Sequence, residues 1–200
     1  MNKCIKNAMI VAASFILLGA CSGSGSHFKV VEDCQKAFET SGLPNHVQKV
    51  DEQEEHELFL CLDEEATDSS NSVHSIWISD KNKQFIKEIL STDTIPFFDE
   101  LSTAKFLPLS DEKILIEGIA NMNRVVSLIK NIATDEVILL SCNAGLIGFT
   151  PGDGYLVMGS LCYYDDPKVY GKYDCIDIFD QSGRLIKSLD LKDEYLKKHK

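Results

Sequence analysis

Basic residues are scarce in this chain: 20 Lys and Arg stand against 31 Asp and Glu, a formal net charge of −11 over 200 residues. Such a surface repels phosphate backbones and anionic headgroups, so nucleic acid binding and purely electrostatic membrane binding are not expected. Cys-x-x-Cys pairs are lacking, which argues against a zinc ribbon and a thioredoxin-like redox centre. The five histidines, His27, His46, His56, His74 and His199, are dispersed, and none forms the His-Glu-x-x-His pattern that puts two imidazoles on one helix face. A Gly-x-Ser-x-Gly elbow is missing too, as is any short motif pairing Ser or Cys with His. No catalytic residue, metal ligand set or cofactor is therefore assigned. Apolar runs long enough to span a bilayer, about 20 residues, are absent as well. What is present is ordinary globular composition, with 44% hydrophobic and 26% charged residues, the proportions of a folded domain rather than a disordered chain.

The N-terminus has three physical zones. Lys3 and Lys6 make it positive, Ala8 to Leu18 is uncharged and apolar, and Leu18-Gly19-Ala20 ends in small residues before Cys21, the layout of a signal peptide. Leu18-Gly19-Ala20-Cys21 resembles the bacterial lipobox, in which a branched residue stands three before an obligatory Cys. The resemblance covers residues 1–21 and implies cleavage before Cys21, a thioether-linked diacylglycerol on its sulfur, and an acyl chain on its new amino group. Several acyl chains anchor stably where one is marginal. Because Ser22, not Asp, follows the Cys, it also implies the outer membrane of a Gram-negative envelope. Loss of residues 1–20 removes two bases and no acid, leaving a charge of −13. Residues 21–27 hold the lipidated Cys and a Ser-Gly-Ser-Gly-Ser tether, and 28–200 form one domain.

That domain is expected to be mainly β and antiparallel, with a short N-terminal helix. Val31, Cys34 and Phe38 recur at helical spacing until Ser41-Gly42 and Pro44 stop them. Asp51 to Glu57 holds five acids among seven residues and reads as a solvated loop or strand entrance. From Leu58 on, short runs of Ile, Leu, Val and Phe between Asp, Asn, Gly and Pro read as strands: Leu58–Leu62, Ser75–Ser79, Phe85–Leu90, Lys105–Leu109, Ile114–Ile119, Arg124–Lys130, Glu136–Ser141, Leu146–Phe149, Tyr155–Tyr164, Tyr173–Phe179 and Leu185–Leu191.

Three hairpins align within this series. Ile78, Ile129 and Ile178 each stand two residues before a turn opener, Asp80, Asn131 or Asp180, and an apolar strand follows each turn. Phe106 to Ile116 also matches Gly148 to Met158, so a full unit holds four strands, about 45–91, 105–142 and 145–191. In this respect residues 45–191 resemble β-propeller proteins, whose blades are four-stranded sheets repeating every 40 to 50 residues, although no Trp-Asp or kelch signature is present. Closed propellers need four to eight blades. Three units therefore imply an open arc capped by the N-terminal helix, a sandwich whose hairpins look alike, or two chains completing one ring as a homo-oligomer.

Cys162 and Cys175 flank the loop between two antiparallel strands, and with Tyr164 opposite Tyr173 they would face each other as a disulfide. Tyr163, Tyr164 and Tyr170 cluster on the same loop and are candidate contacts for a protein partner, since Tyr offers large area at small entropic cost. The functional expectation is a membrane-anchored binding or scaffold module in the cell envelope. Two alternatives stand beside it. One is an envelope hydrolase whose site joins His56 or His74 with a buried carboxylate and a Ser; the other is an immunity-type inhibitor of a basic toxin.

Overall fold

The computed structural model describes residues 47–62, 73–81, 86–95, 98–120, 124–161 and 172–191. The expected helix Val31–Thr40, the tether and the N-terminal 27 residues lie outside them. The described residues form twelve strands: β1 (Val47–Gln53), β2 (His56–Leu62), β3 (Val73–Asp80), β4 (Ile86–Ser91), β5 (Glu100–Phe106), β6 (Lys113–Ala120), β7 (Arg124–Asn131), β8 (Val137–Leu139), β9 (Gly145–Phe149), β10 (Leu156–Leu161), β11 (Tyr173–Phe179) and β12 (Leu185–Asp190). The protein is mainly β and every strand pairing is antiparallel. None of the described residues is helical.

The strands make two sheets, not three separate ones. One has eight strands, in the order β1-β2-β3-β5-β6-β7-β8 with β4 also on β3; the other has four, β12-β11-β10-β9. Consecutive strands nonetheless pair as three meanders, β1 to β4, β5 to β8 and β9 to β12. The first two fuse through one residue pair, Val73 with Leu101. Pairing between β3 and β4 stops at Ser75 with Ser91, so the backbone at the start of β3 is open on that side, and β5 takes it.

Two strand expectations shift. The acidic segment 51–57 is a hairpin: β1 and β2 pair from Val47 with Cys61 to Gln53 with His56, and Glu54-Glu55 make the turn. Lys105–Leu109 begins too late, since β5 covers Glu100–Phe106 and Leu107–Ser110 closes a turn with Ser110 N donating to Leu107 O at 3.2 Å. Pro108 has no N–H to continue a ladder.

The turn openers hold their turns as their chemistry suggests. Asn131 Oδ1 accepts from Ala133 N and Thr134 N at 2.9 and 3.0 Å, and Asp180 Oδ1 accepts from Ser182 N and Arg184 N at 2.9 and 3.1 Å. A short polar side chain closes such a turn by satisfying the amides two or more residues on. Both turns fall between the third and fourth strands of their meanders, and Asp80 ends the third strand of the first.

Packing explains why strand sequences in the middle of the chain are apolar without alternation. In β6, Ile114 and Ile116 join Leu58, Leu60, Ile76, Ile78 and Ala104 in a core between the first and second meanders. Leu115, between them, joins Ile129, Leu140, Leu156, Met158 and Phe179 in a second core between the second and third. A strand covered on both faces has no polar side to alternate with, and each such Leu or Ile contributes about 1.5–3 kcal/mol. Polar ties seal the layers. Phe106 N donates to Asp51 Oδ2 at 2.8 Å, and Lys87 and Lys130 meet Asp135 at 3.7 and 3.0 Å.

Candidate functional site

The histidine that sequence reasoning singled out sits at the start of β3. Thr92 Oγ1 lies 3.2 Å from His74 Nδ1, Asp93 Oδ2 lies 3.6 Å from Nε2, and Thr92 N donates to His74 O at 3.0 Å. A hydroxyl and a carboxylate thus flank the imidazole, but the Asp93 side chain is 57% exposed. The hydrolase reading required a buried carboxylate and a Ser. What stands here is a solvated carboxylate and a Thr fastening the end of β4 to β3. His56 lies in the β1–β2 hairpin, opposite Gln53 and Asp80.

A second polar cluster lies where the second and third meanders meet. Glu117 on β6 is buried and accepts from Leu146 N at 2.7 Å and Ser127 Oγ at 3.2 Å, while Ser127 Oγ also lies 3.0 Å from Ala144 O. Burial pushes the Glu117 carboxyl above its usual range, and the Leu146 and Ser127 donors hold it partly down. Near it, burial and then the Asp177 carboxylate push the Cys142 thiol up to about 12. Burial likewise raises Cys175, whose Sγ lies 3.6 Å from Asp177 Oδ1. Nucleophilic cysteines need the opposite surroundings, a cation or a helix N-terminus that favours thiolate. This cluster therefore keeps both sulfurs protonated at neutral pH. Among the described residues no three His, Cys, Asp or Glu are grouped so as to hold a metal ion.

Glu117 has a testable pH signature. A carboxyl whose folded value is raised adds stability fully below its unfolded value, and that stability is lost as pH rises through the folded value. Gln keeps the acceptor for Leu146 N without the buried charge. At pH 7, Glu117→Gln is expected to leave stability unchanged or raise it by up to about 1 kcal/mol, and Glu117→Ala to cost roughly 1–3 kcal/mol by stranding the Leu146 amide, since Ser127 Oγ keeps Ala144 O at 3.0 Å. Urea unfolding at pH 7 and pH 4 should show the Gln advantage fading at the lower value; an equal loss for Gln and Ala would mean that the charge itself is used.

Cys175 is a free thiol, and the register removes the basis for joining it to Cys162. Tyr173 stands opposite Leu161, not Tyr164, because the ladder shifts between Ser160 and Leu161, and Cys175 faces Ser160. Cys162 lies outside the described residues, as do Cys21, Tyr163, Tyr164 and Tyr170.

The surface that sequence reasoning missed is the outer face of the third meander. Leu156, Met158 and Phe179 point inward and are fully buried. The intervening Val157 pairs with Ile178, which pairs with Lys187, and Gly159 pairs with Ile176, which pairs with Leu189. Directly paired residues share a face, so these six lie on the opposite side. Ile147 and Tyr173 lie there too, since a Cβ on Gly159 would come within 2.5 Å of Ile147 Cδ1 and 2.6 Å of the Tyr173 ring. Val157, Tyr173, Ile176, Ile178 and Leu189 are half-buried, and Ile147 is 43% exposed. Only Lys187 brings charge to this group. The signal was in the alternation of β10 and β11, where the residues between the core positions are also apolar.

No protein-family model matches the chain, and no curated protein matches it. Among solved structures it is similar to the crystal structure of the tricorn protease, with a TM-score of 0.49 and 18% identity over 74% of this chain. The chain spans 13% of that protein's length. A likeness at this level bears on neither the site nor the activity.

Proposed function

We propose that the protein is a lipid-anchored binding module of the cell envelope, held by Cys21 and presenting the outer face of its third meander to a protein partner. The three meanders then act as blades stacked in an open arc. The observation that carries the reading is an inequality between them. The first two meanders bury apolar residues on both faces, Leu58 and Phe59 in β2 and Leu128 and Ile129 in β7, whereas the third buries one face and leaves the other apolar and half-open. Contiguous exposed apolar surface of this kind marks interaction sites in soluble domains. The mature charge of −13 favours encounter with a basic partner.

Photo-crosslinking in intact envelopes tests this. A crosslinking side chain at Val157 or Ile178 is expected to give a discrete adduct, and the same group at Glu112, in the β5–β6 turn, to give none. Adding Ile147→Asp should reduce the adduct about tenfold or more. An adduct of twice the chain's mass would replace the envelope partner with a second copy. Equal labelling at Val157 and Glu112 would remove the surface.

A further inference from the structure

The first meander has a second buried face whose cover does not come from either described core. Cys61 pairs with Val47 and Ser75, and Phe59 pairs with Trp77, so these residues share the face opposite Leu58, Leu60, Ile76 and Ile78. All of them are buried, Cys61 and Ser75 completely, yet none belongs to the core facing the second meander or to the core beyond it. Cys61 is disulfide-bonded, while Cys142 and Cys175 are free. Its partner is therefore one of Cys4, Cys21, Cys34 and Cys162.

We infer that Cys61 is joined to Cys34. Cys162 directly follows Leu161, the last residue of β10, so its Cα lies about 3.8 Å from a strand of the third meander. The Cys61 side chain points away from the second meander, and the third lies beyond the second. Packed sheets stand about 10 Å apart, whereas bonded cysteines need Cα atoms within about 7 Å. Cys4 and Cys21 drop out on the reading that the leader is removed and Cys21 carries lipid, and the inference rests on that reading to this extent. Cys34 precedes β1 by 13 residues, ample to reach the neighbouring strand.

The bond forms by thiol–disulfide exchange with a protein disulfide donor of the extracytoplasmic space. Cys34 and Cys61 each give up a proton and an electron, and the donor leaves as its dithiol. The consequence is mechanical. Only 12 residues separate Cys21 from Cys34, so the cross-link ties the lipid anchor to the first sheet through at most about 45 Å of chain. Local opening of the residues between Cys34 and β1 cannot lengthen that tether.

The test uses the full-length protein purified from envelopes, with free thiols blocked by N-ethylmaleimide in denaturant without reductant, then digested with trypsin. The expected result is one disulfide-linked pair of peptides, Val30–Lys36 with Val50–Lys81, and maleimide on Cys142, Cys162 and Cys175. Cys61 linked to Cys162, or carrying maleimide, would overturn the pairing and leave lipidation standing. Cys61 linked to Cys21 would overturn both. Thermal unfolding gives a second readout. Cys34→Ser and Cys61→Ser are expected to lower Tm equally, by roughly 5–10 °C, with no further fall in the double variant. A fall for Cys61→Ser alone would count against the pair.

Discussion

Replacing Cys21 by Ser is expected to move the protein out of the membrane fraction completely, because a Ser hydroxyl cannot form the thioether that carries diacylglycerol. Each buried methylene of an acyl chain adds about 0.8 kcal/mol, so losing several chains at once removes all of the anchoring that the proposed reading assigns to this residue. Among the described residues nothing replaces it: the net charge repels anionic lipid, and no helix there is long and apolar enough to cross a bilayer. Metabolic labelling with a radioactive fatty acid, followed by fractionation of wild type and Cys21→Ser, gives the answer. A variant that stays in the membrane and keeps its label would sink both the lipobox assignment and the localisation derived from it. The folded domain should be unaffected, since the tether lies ahead of the strands.

Phe179→Ala is expected to give a large loss of stability, about 3–5 kcal/mol. Phe179 ends β11, is fully buried, and fills the core between the second and third meanders with Leu107, Leu115, Ile129, Leu156 and Met158. Its loss removes apolar transfer energy and leaves a cavity whose walls belong to strands of two sheets, which cannot close on it without moving a sheet. Tm should fall by roughly 10 °C or more. Leu185, its partner across the β11–β12 ladder, is 47% exposed, and Leu185→Ala should stay within about 0.5–1 kcal/mol. Similar losses at the two positions would mean that the third meander is not packed as described. Leu185 shares the inner face with Phe179, so the contrast separates the packed centre of that face, which holds the third meander in place, from its exposed rim.

Much of the strand pattern was legible before any coordinates. Ile78, Ile129 and Ile178 do stand near the ends of the third strands of their meanders, and Asn131 and Asp180 close the turns that follow through local hydrogen bonds that a sequence can announce. β1 was obscured because its acids dominate residues 51–57, while the hairpin that holds them depends on pairing with β2, a non-local fact. β5 was placed late because Leu107 and Leu109 read as strand residues, although Leu107 is buried in a turn and Leu109 is 65% exposed. The Cys162–Cys175 expectation assumed an unbroken ladder. A single extra residue near Asp174 shifts the register, and such bulges leave little trace in composition.

By itself the sequence determined the class of structure, the hairpin repeat and most of its turns, because these follow from side-chain period and from polar groups acting within a few residues. Which face of β10 and β11 is buried was decided only by the tertiary structure, since burial belongs to two surfaces meeting, and the second surface comes from the strands of the second meander. The same cause fused the first two meanders: Val73 is ordinary strand sequence, and only the backbone left open beside it gave Leu101 a place to pair.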